Sequence, residues 1–151
     1  IHEGTHGIQA LDLLGRKVLM EGGAGFELLA ARIRATAARA GTDPAWTAQA
    51  GALLSALQQL RSATQAAWAT GVPEEALANA TPYLQAFGHV VLAWMWLDVA
   101  LATGALPEPS KQGKLAAMRY FYDYELPKTG AWLAVVSSRN PTCRAMQEDW
   151  F

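Results

Sequence analysis

His2, Glu3 and His6 are the residues whose types and spacing first suggest chemistry. In the stretch His2-Glu3-Gly4-Thr5-His6 they match H-E-x-x-H, in which two histidines one helical turn apart hold zinc and the glutamate activates water. That chemistry needs the five residues inside a regular helix. Here they open the chain and include Gly4, and a glycine weakens a helix by about 1 kcal/mol. A third protein ligand is also required. His89, the remaining histidine, lies in a distant apolar segment, which leaves a carboxylate such as Glu21 or Glu27. No metal is therefore expected, and a zinc metallopeptidase stands as an alternative.

The elements that must position such residues are helical throughout. The chain has 151 residues, 52% hydrophobic and 17% charged, enough to bury a single core. Thirteen acidic residues against twelve basic ones give a formal net charge of -1, so no nucleic-acid partner is expected. The single cysteine, Cys143, has no intrachain partner and suits a reducing compartment, so the cytoplasm is the expected location. The longest apolar run, Val90 to Ala102, contains Asp98 and falls short of the ~20 residues that a membrane span needs. It reads as a core helix. The opening without methionine, inside a motif-like stretch, suggests a piece of a longer protein.

Strand signals are nearly absent, and the pattern predicts an all-α, up-and-down bundle of four to six helices. A first helix is expected from Thr5 to Met20, with Ile8, Leu11, Leu14 and Val18 on its inner face and Gly22-Gly23 ending it. A second covers Ala24 to Ala40. Asp43-Pro44 should open a third, as N-cap and first helical position, running through Leu53, Leu57, Leu60 and Ala67. A fourth stretch starts at Val72-Pro73-Glu74-Glu75, with a break expected near Thr81 because Pro82 removes a donor and crowds the Ala78 carbonyl. Beyond it Tyr83 to Thr103 is apolar nearly all round, which predicts the centre of the bundle. Leu106-Pro107-Glu108-Pro109 reads as a linker. The last helix should start near Ser110, be disturbed at Pro127 and resume through Trp132 and Val136. Met146, Trp150 and Phe151 are the expected anchors of the tail. The six tryptophans, at helical spacing, read as core or interface filler.

A longer window over the first residues points elsewhere than zinc. Ile1-His2-Glu3-Gly4-Thr5-His6-Gly7-Ile8-Gln9-Ala10, continuing as Leu11-Asp12-Leu13-Leu14-Gly15-Arg16-Lys17, resembles the I-Y-E-G-T-x-x-I-Q segment of acyl-CoA dehydrogenases. The continuation looks like the subgroup with an extra C-terminal helical domain, which includes 3-methylmercaptopropionyl-CoA dehydrogenases. Pro82-Tyr83-Leu84 to Gly88, Ala93-Trp94-Met95-Trp96-Leu97, and Tyr120-Phe121-Tyr122 to Leu126-Pro127 also resemble that domain.

The resemblance implies that Glu3 is the base that takes the α-proton of an acyl thioester. A positioned carboxylate in a dry site suits that task, since desolvation raises its pKa towards the working pH. It further implies that Gly4 borders the substrate and that Thr5, His6 and Gly7 border FAD at a helix N-terminus. His2 replaces the usual tyrosine and Gly7 the frequent glutamine. Residues 1–20 would end the catalytic segment, and 21–151 would form the helical domain. The implied partners are an acyl-CoA, an electron-accepting flavoprotein and further copies in a homo-oligomer. The chain alone, lacking most of the site's walls, should be inactive. A non-catalytic assembly module is the rival reading.

Overall fold

The computed structural model describes residues 5–150, so Glu3 and Gly4 lie outside the described residues, as do His2 and Phe151. It is helical, with no strand among the described residues. The elements are α1 (His6–Asp12), α2 (Ala24–Gly41), α3 (Thr47–Ala67), α4 (Pro73–Leu77), α5 (Ala80–Leu101), α6 (Glu108–Tyr120) and α7 (Lys128–Ser137). A π-helical turn, Leu13–Lys17, extends α1, and a second, Phe121–Glu125, joins α6 to α7. Four rods result: α2, α3, α5, and α6 with α7.

Contacts between named side chains set the directions of the rods. Phe26 meets Phe87, and further along Trp94 donates to the Thr36 hydroxyl, so α2 and α5 run parallel. His89 packs edge-on against Trp132, while Lys114 lies beside Leu92, Met95 and Val99, so the last rod runs antiparallel to α5. α2 and α3 fold back on one another across the short turn at 42–46, tied by Arg61 to Glu27. That ion pair holds the Glu27 carboxyl below its usual range, first through the Arg61 hydrogen bond.

α5 is the hub, packed against α1, α2, α3, α6 and α7. Its inner stripe, Tyr83, Ala86, Val90, Ala93, Leu97 and Ala100, is buried at the three- and four-residue spacing that one helix face requires. The opposite face differs from the expectation of burial all round: Leu92, Met95 and Val99 are 45%, 53% and 39% exposed. α5, with 22 residues, is long and apolar enough by length and composition alone to cross a membrane. The apolar run from Val90 to Ala102 understated its length.

Both buried tyrosines of the bundle are paired, whereas the buried Oε1 of Gln49 has no hydrogen-bond partner among the described residues. Tyr83, fully buried, shares a 2.7 Å hydrogen bond with Thr64, and burial pushes its phenol up to about 12. The Tyr122 hydroxyl donates to the Ala93 carbonyl at 3.0 Å, and burial again raises its pKa.

Several boundaries shift for local reasons. Asp43 does not cap α3; its carboxylate accepts the Ala45 N–H at 2.8 Å, closing a turn, and the helix begins at Thr47. The break before α5 falls at Ala78–Asn79, and Pro82 occupies the first turn, where its missing donor costs nothing. Leu106–Pro109 is a linker only through Pro107, since Pro109 fits the first turn of α6 for the same reason. Pro127 is absorbed by the second π-turn, in which the Leu126 N–H reaches back five residues to Phe121 O at 2.9 Å. In the tail Met146 and Trp150 stay exposed. The anchors are instead Arg139 to the Ala66 carbonyl, Asn79 to the Asn140 carbonyl, and Arg144 to Glu75.

Leu97 has no exposed surface. Leu97→Asp should destabilise the bundle by more than about 3 kcal/mol, because it buries a charge with no partner in the stripe. Thermal unfolding followed by circular dichroism checks this, and an unchanged midpoint would contradict α5 as the hub.

Candidate functional site

The sequence-derived site falls on α1 and the residues before it. Thr5 is the N-cap of α1; its carbonyl accepts the Gln9 N–H at 2.9 Å, and its side chain makes no capping hydrogen bond. His6 and Gly7 form the first turn and are exposed. A β-carbon at Gly7 would meet no atom within 4 Å, so the backbone there is open to close approach. Thr5, His6 and Gly7 thus sit together at one helix end, as expected, while the positions of Glu3 and Gly4 lie outside the described residues.

The inner face of α1 is not the one the periodicity predicted. Ala10, Leu14 and Val18 are buried, but Ile8 and Leu11 are 64% and 48% exposed. The π-turn explains the change. In a regular helix the Val18 N–H would bond to Leu14 O; here it reaches Leu13 O at 3.1 Å. The extra residue resets the phase of α1 relative to the rest of the chain. Glu21, Gly22 and Gly23 then adopt left-handed conformations in succession, at φ of 52°, 65° and 88°, and turn the chain into α2.

Two residues from distant parts of the chain hold this turn. The vacated Leu14 carbonyl accepts the indole N–H of Trp68, at the end of α3, at 3.1 Å. Leu14 is fully buried, and an unpaired carbonyl there would cost roughly 1–3 kcal/mol. Leu77 of α4 covers Gly15, its Cδ2 only 3.3 Å from where a β-carbon would stand. α4 is itself strapped down by the tail through Glu75, whose carboxyl is held below its usual range, first by the Thr70 hydroxyl and then by Arg144. On the solvent side Asp12 pairs with Arg16 at 2.6 Å and Lys17 at 3.2 Å. The Arg16 hydrogen bond is the main reason its carboxyl is lowered.

Sequence reasoning missed Trp68, Leu77 and the role of Gly15. The available signal was Gly15 itself, a lone glycine inside a helical pattern, which often marks close packing.

Two of the groups considered for zinc, His89 and Glu27, are engaged elsewhere. The Nδ1 of His89 lies 2.9 Å from Gln85 O and its Nε2 3.5 Å from Glu125, and Glu27 pairs with Arg61 and Arg34. Among the described residues no group of three or more His, Cys, Asp and Glu could hold a metal ion.

Residues 29–147 match the family described as acetyl-CoA dehydrogenase C-terminal like. The chain belongs to this family. It is also 34% identical over 115 residues to the 3-methylmercaptopropionyl-CoA dehydrogenase of Ruegeria pomeroyi (strain ATCC 700808 / DSM 15171 / DSS-3). That alignment covers 70% of this chain and 18% of the relative, so the chain corresponds to a minor share of its length. The family match takes in most of α2 and all of α3 to α7, whereas α1 and its π-turn lie outside it.

Because Leu77 presses on Gly15, Gly15→Val should cost roughly 1–3 kcal/mol by overpacking. In the double variant with Leu77→Ala part of that cost should disappear, since the two sites touch. Strict additivity in denaturant melts of the two single variants and the double variant would show that Leu77 does not press on the turn.

Proposed function

We propose that this chain is the C-terminal part of an FAD-dependent acyl-CoA dehydrogenase that oxidises an acyl-CoA thioester to the 2,3-enoyl-CoA. The observation that carries the reading is one of order along the chain. A bundle matching the C-terminal family at residues 29–147 comes after a segment, Ile1 to Lys17, that resembles the base motif of these enzymes.

Glu3 is the base in this reading and takes the α-proton, which the thioester carbonyl acidifies. FAD, when bound, accepts the hydride that leaves the β-carbon. The donor set at the start of α1 fits such a group: Thr5 has a hydroxyl not used in capping, and Gly7 has a bare backbone. Gly4 borders the substrate, and Thr5, His6 and Gly7 border the flavin. A flavoprotein is the electron acceptor. The isolated chain, with one base and one wall of the site, is inactive, and the single exposed thiol of Cys143 suits a cytoplasmic setting.

One observation favours an assembly role beside this one. The outer stripe of α5, Leu92, Met95 and Val99, is apolar and open, and it fits a bundle that also joins subunits into a homo-oligomer. Met95→Glu should then lower the oligomeric mass of the parent enzyme measured by light scattering. An unchanged mass would remove α5 from the contact.

For the catalytic reading, Glu3→Gln in the full-length parent should leave flavin and acyl-CoA binding largely intact, because the amide is nearly the size of the carboxylate. Lacking a base, the variant should bleach its flavin more slowly by at least about 10²-fold on mixing with substrate, the typical share of a positioned general base. Anaerobic stopped-flow absorbance reads this directly. Bleaching at the parent rate would assign the proton to another residue.

A further inference from the structure

We propose that Trp68 is a positioning residue for the dehydrogenase site, acting through the π-turn on α1; this rests on the proposed roles of Glu3 to Gly7. Four features of the turn carry the inference. The Val18 N–H bypasses Leu14 O and bonds to Leu13 O, so the Leu14 carbonyl loses its helical donor inside the core. The Trp68 indole N–H, 54 residues away in sequence, takes that carbonyl at 3.1 Å. Trp68 has a fixed seat, immediately beyond the last residue of α3, within the packed bundle. Leu77 closes the other side over Gly15, where a β-carbon would not fit without displacement.

The geometry makes this bond a phase lock. A π-turn holds one residue more than an α-turn, and one residue of helix corresponds to about 100° of rotation and 1.5 Å of rise. If the turn relaxed to regular α geometry, with Val18 N–H returning to Leu14 O, α1 would rotate by about that angle against the bundle. Ala10 would leave the core, and Thr5, His6 and Gly7 would swing to another side. Removing the competing donor, the indole N–H, favours that relaxation. A displacement of about 1 Å at reacting groups can cost about 10²-fold in rate.

The test uses the flavin-loaded full-length parent with Trp68→Phe, which keeps an aromatic ring and removes the donor. A second variant carries 3-benzothienylalanine at position 68, an isostere in which sulfur replaces the N–H. Three quantities are read: the limiting rate of flavin bleaching at saturating acyl-CoA, the substrate concentration at half that rate, and the visible circular dichroism of the bound flavin. Both variants should lose on the order of tenfold or more in the limiting rate, with a changed flavin spectrum and a half-saturating concentration within about twofold of the parent. A purely structural role would lower the melting temperature and leave those values unchanged in the folded protein.

Parental bleaching and a parental flavin spectrum in the isostere would overturn the proposal, whatever happens to the melting temperature. Should Trp68→Phe not accumulate folded, the isostere decides, since it preserves the indole's shape. Glu3→Gln measured alongside separates the two readings. A slow Glu3→Gln with a parental isostere removes only the role of Trp68, whereas a parental Glu3→Gln removes the base assignment and leaves the flavin spectrum to judge Trp68.

Discussion

The fold depends on the inner stripe of α5. Tyr83, Ala86, Val90, Ala93, Leu97 and Ala100 form one buried line, and five other helices pack against the helix that bears it. The small residues in that line decide how near the neighbours come, and the larger ones fill what remains. Burying such side chains contributes roughly 25 cal/mol per Å² of apolar surface, the main term favouring the bundle. The polar groups that this close packing draws inside, Tyr83, Tyr122 and Trp94, each have a hydrogen-bond partner on another rod. They add direction to an interaction that has none of its own.

A close-packed bundle of straight rods cannot satisfy every local constraint, and this chain resolves two conflicts with the same device. The second π-turn, Phe121–Glu125, takes up the donor that Pro127 lacks while Tyr122 and Leu126 stay in the core. No proline forces the first π-turn, Leu13–Lys17. It persists because the carbonyl it frees has a donor waiting in Trp68 and because Gly15 leaves room for Leu77. One turn arises from local covalent geometry, and the other is imposed by neighbours.

That difference bears on function. The family match describes the bundle, while the residues resembling a catalytic segment lie before α2. The π-turn is the mechanical link between them. The orientation that α1 gives to Thr5, His6 and Gly7 is set by its packing on α5 together with Trp68 at the end of α3 and Leu77 of α4, elements that carry none of the sequence-derived site residues. The tail contributes as well, since Arg139 and Arg144 pair with Glu75 of α4.

The all-helical class, the rods and most of their inner faces were legible in the residues, because helix propensity, period and proline placement are local properties. The resemblance to a base motif was read from the sequence too, since Glu3 to Gly7 are consecutive. Other features resisted such reading. Ile8 and Leu11 look like core residues by period, yet they face outward because an inserted residue in the π-turn beyond them shifts the phase. Leu92, Met95 and Val99 look equally buried, yet packing around α5 stops short of them. Asp43 is a plausible cap that finds the nearer Ala45 N–H instead. Sequence by itself determined which segments are helices and which residues could do chemistry. Only the tertiary structure decided how α1 is turned, because the bond that fixes it joins Leu14 to Trp68, and no local pattern relates two residues so far apart.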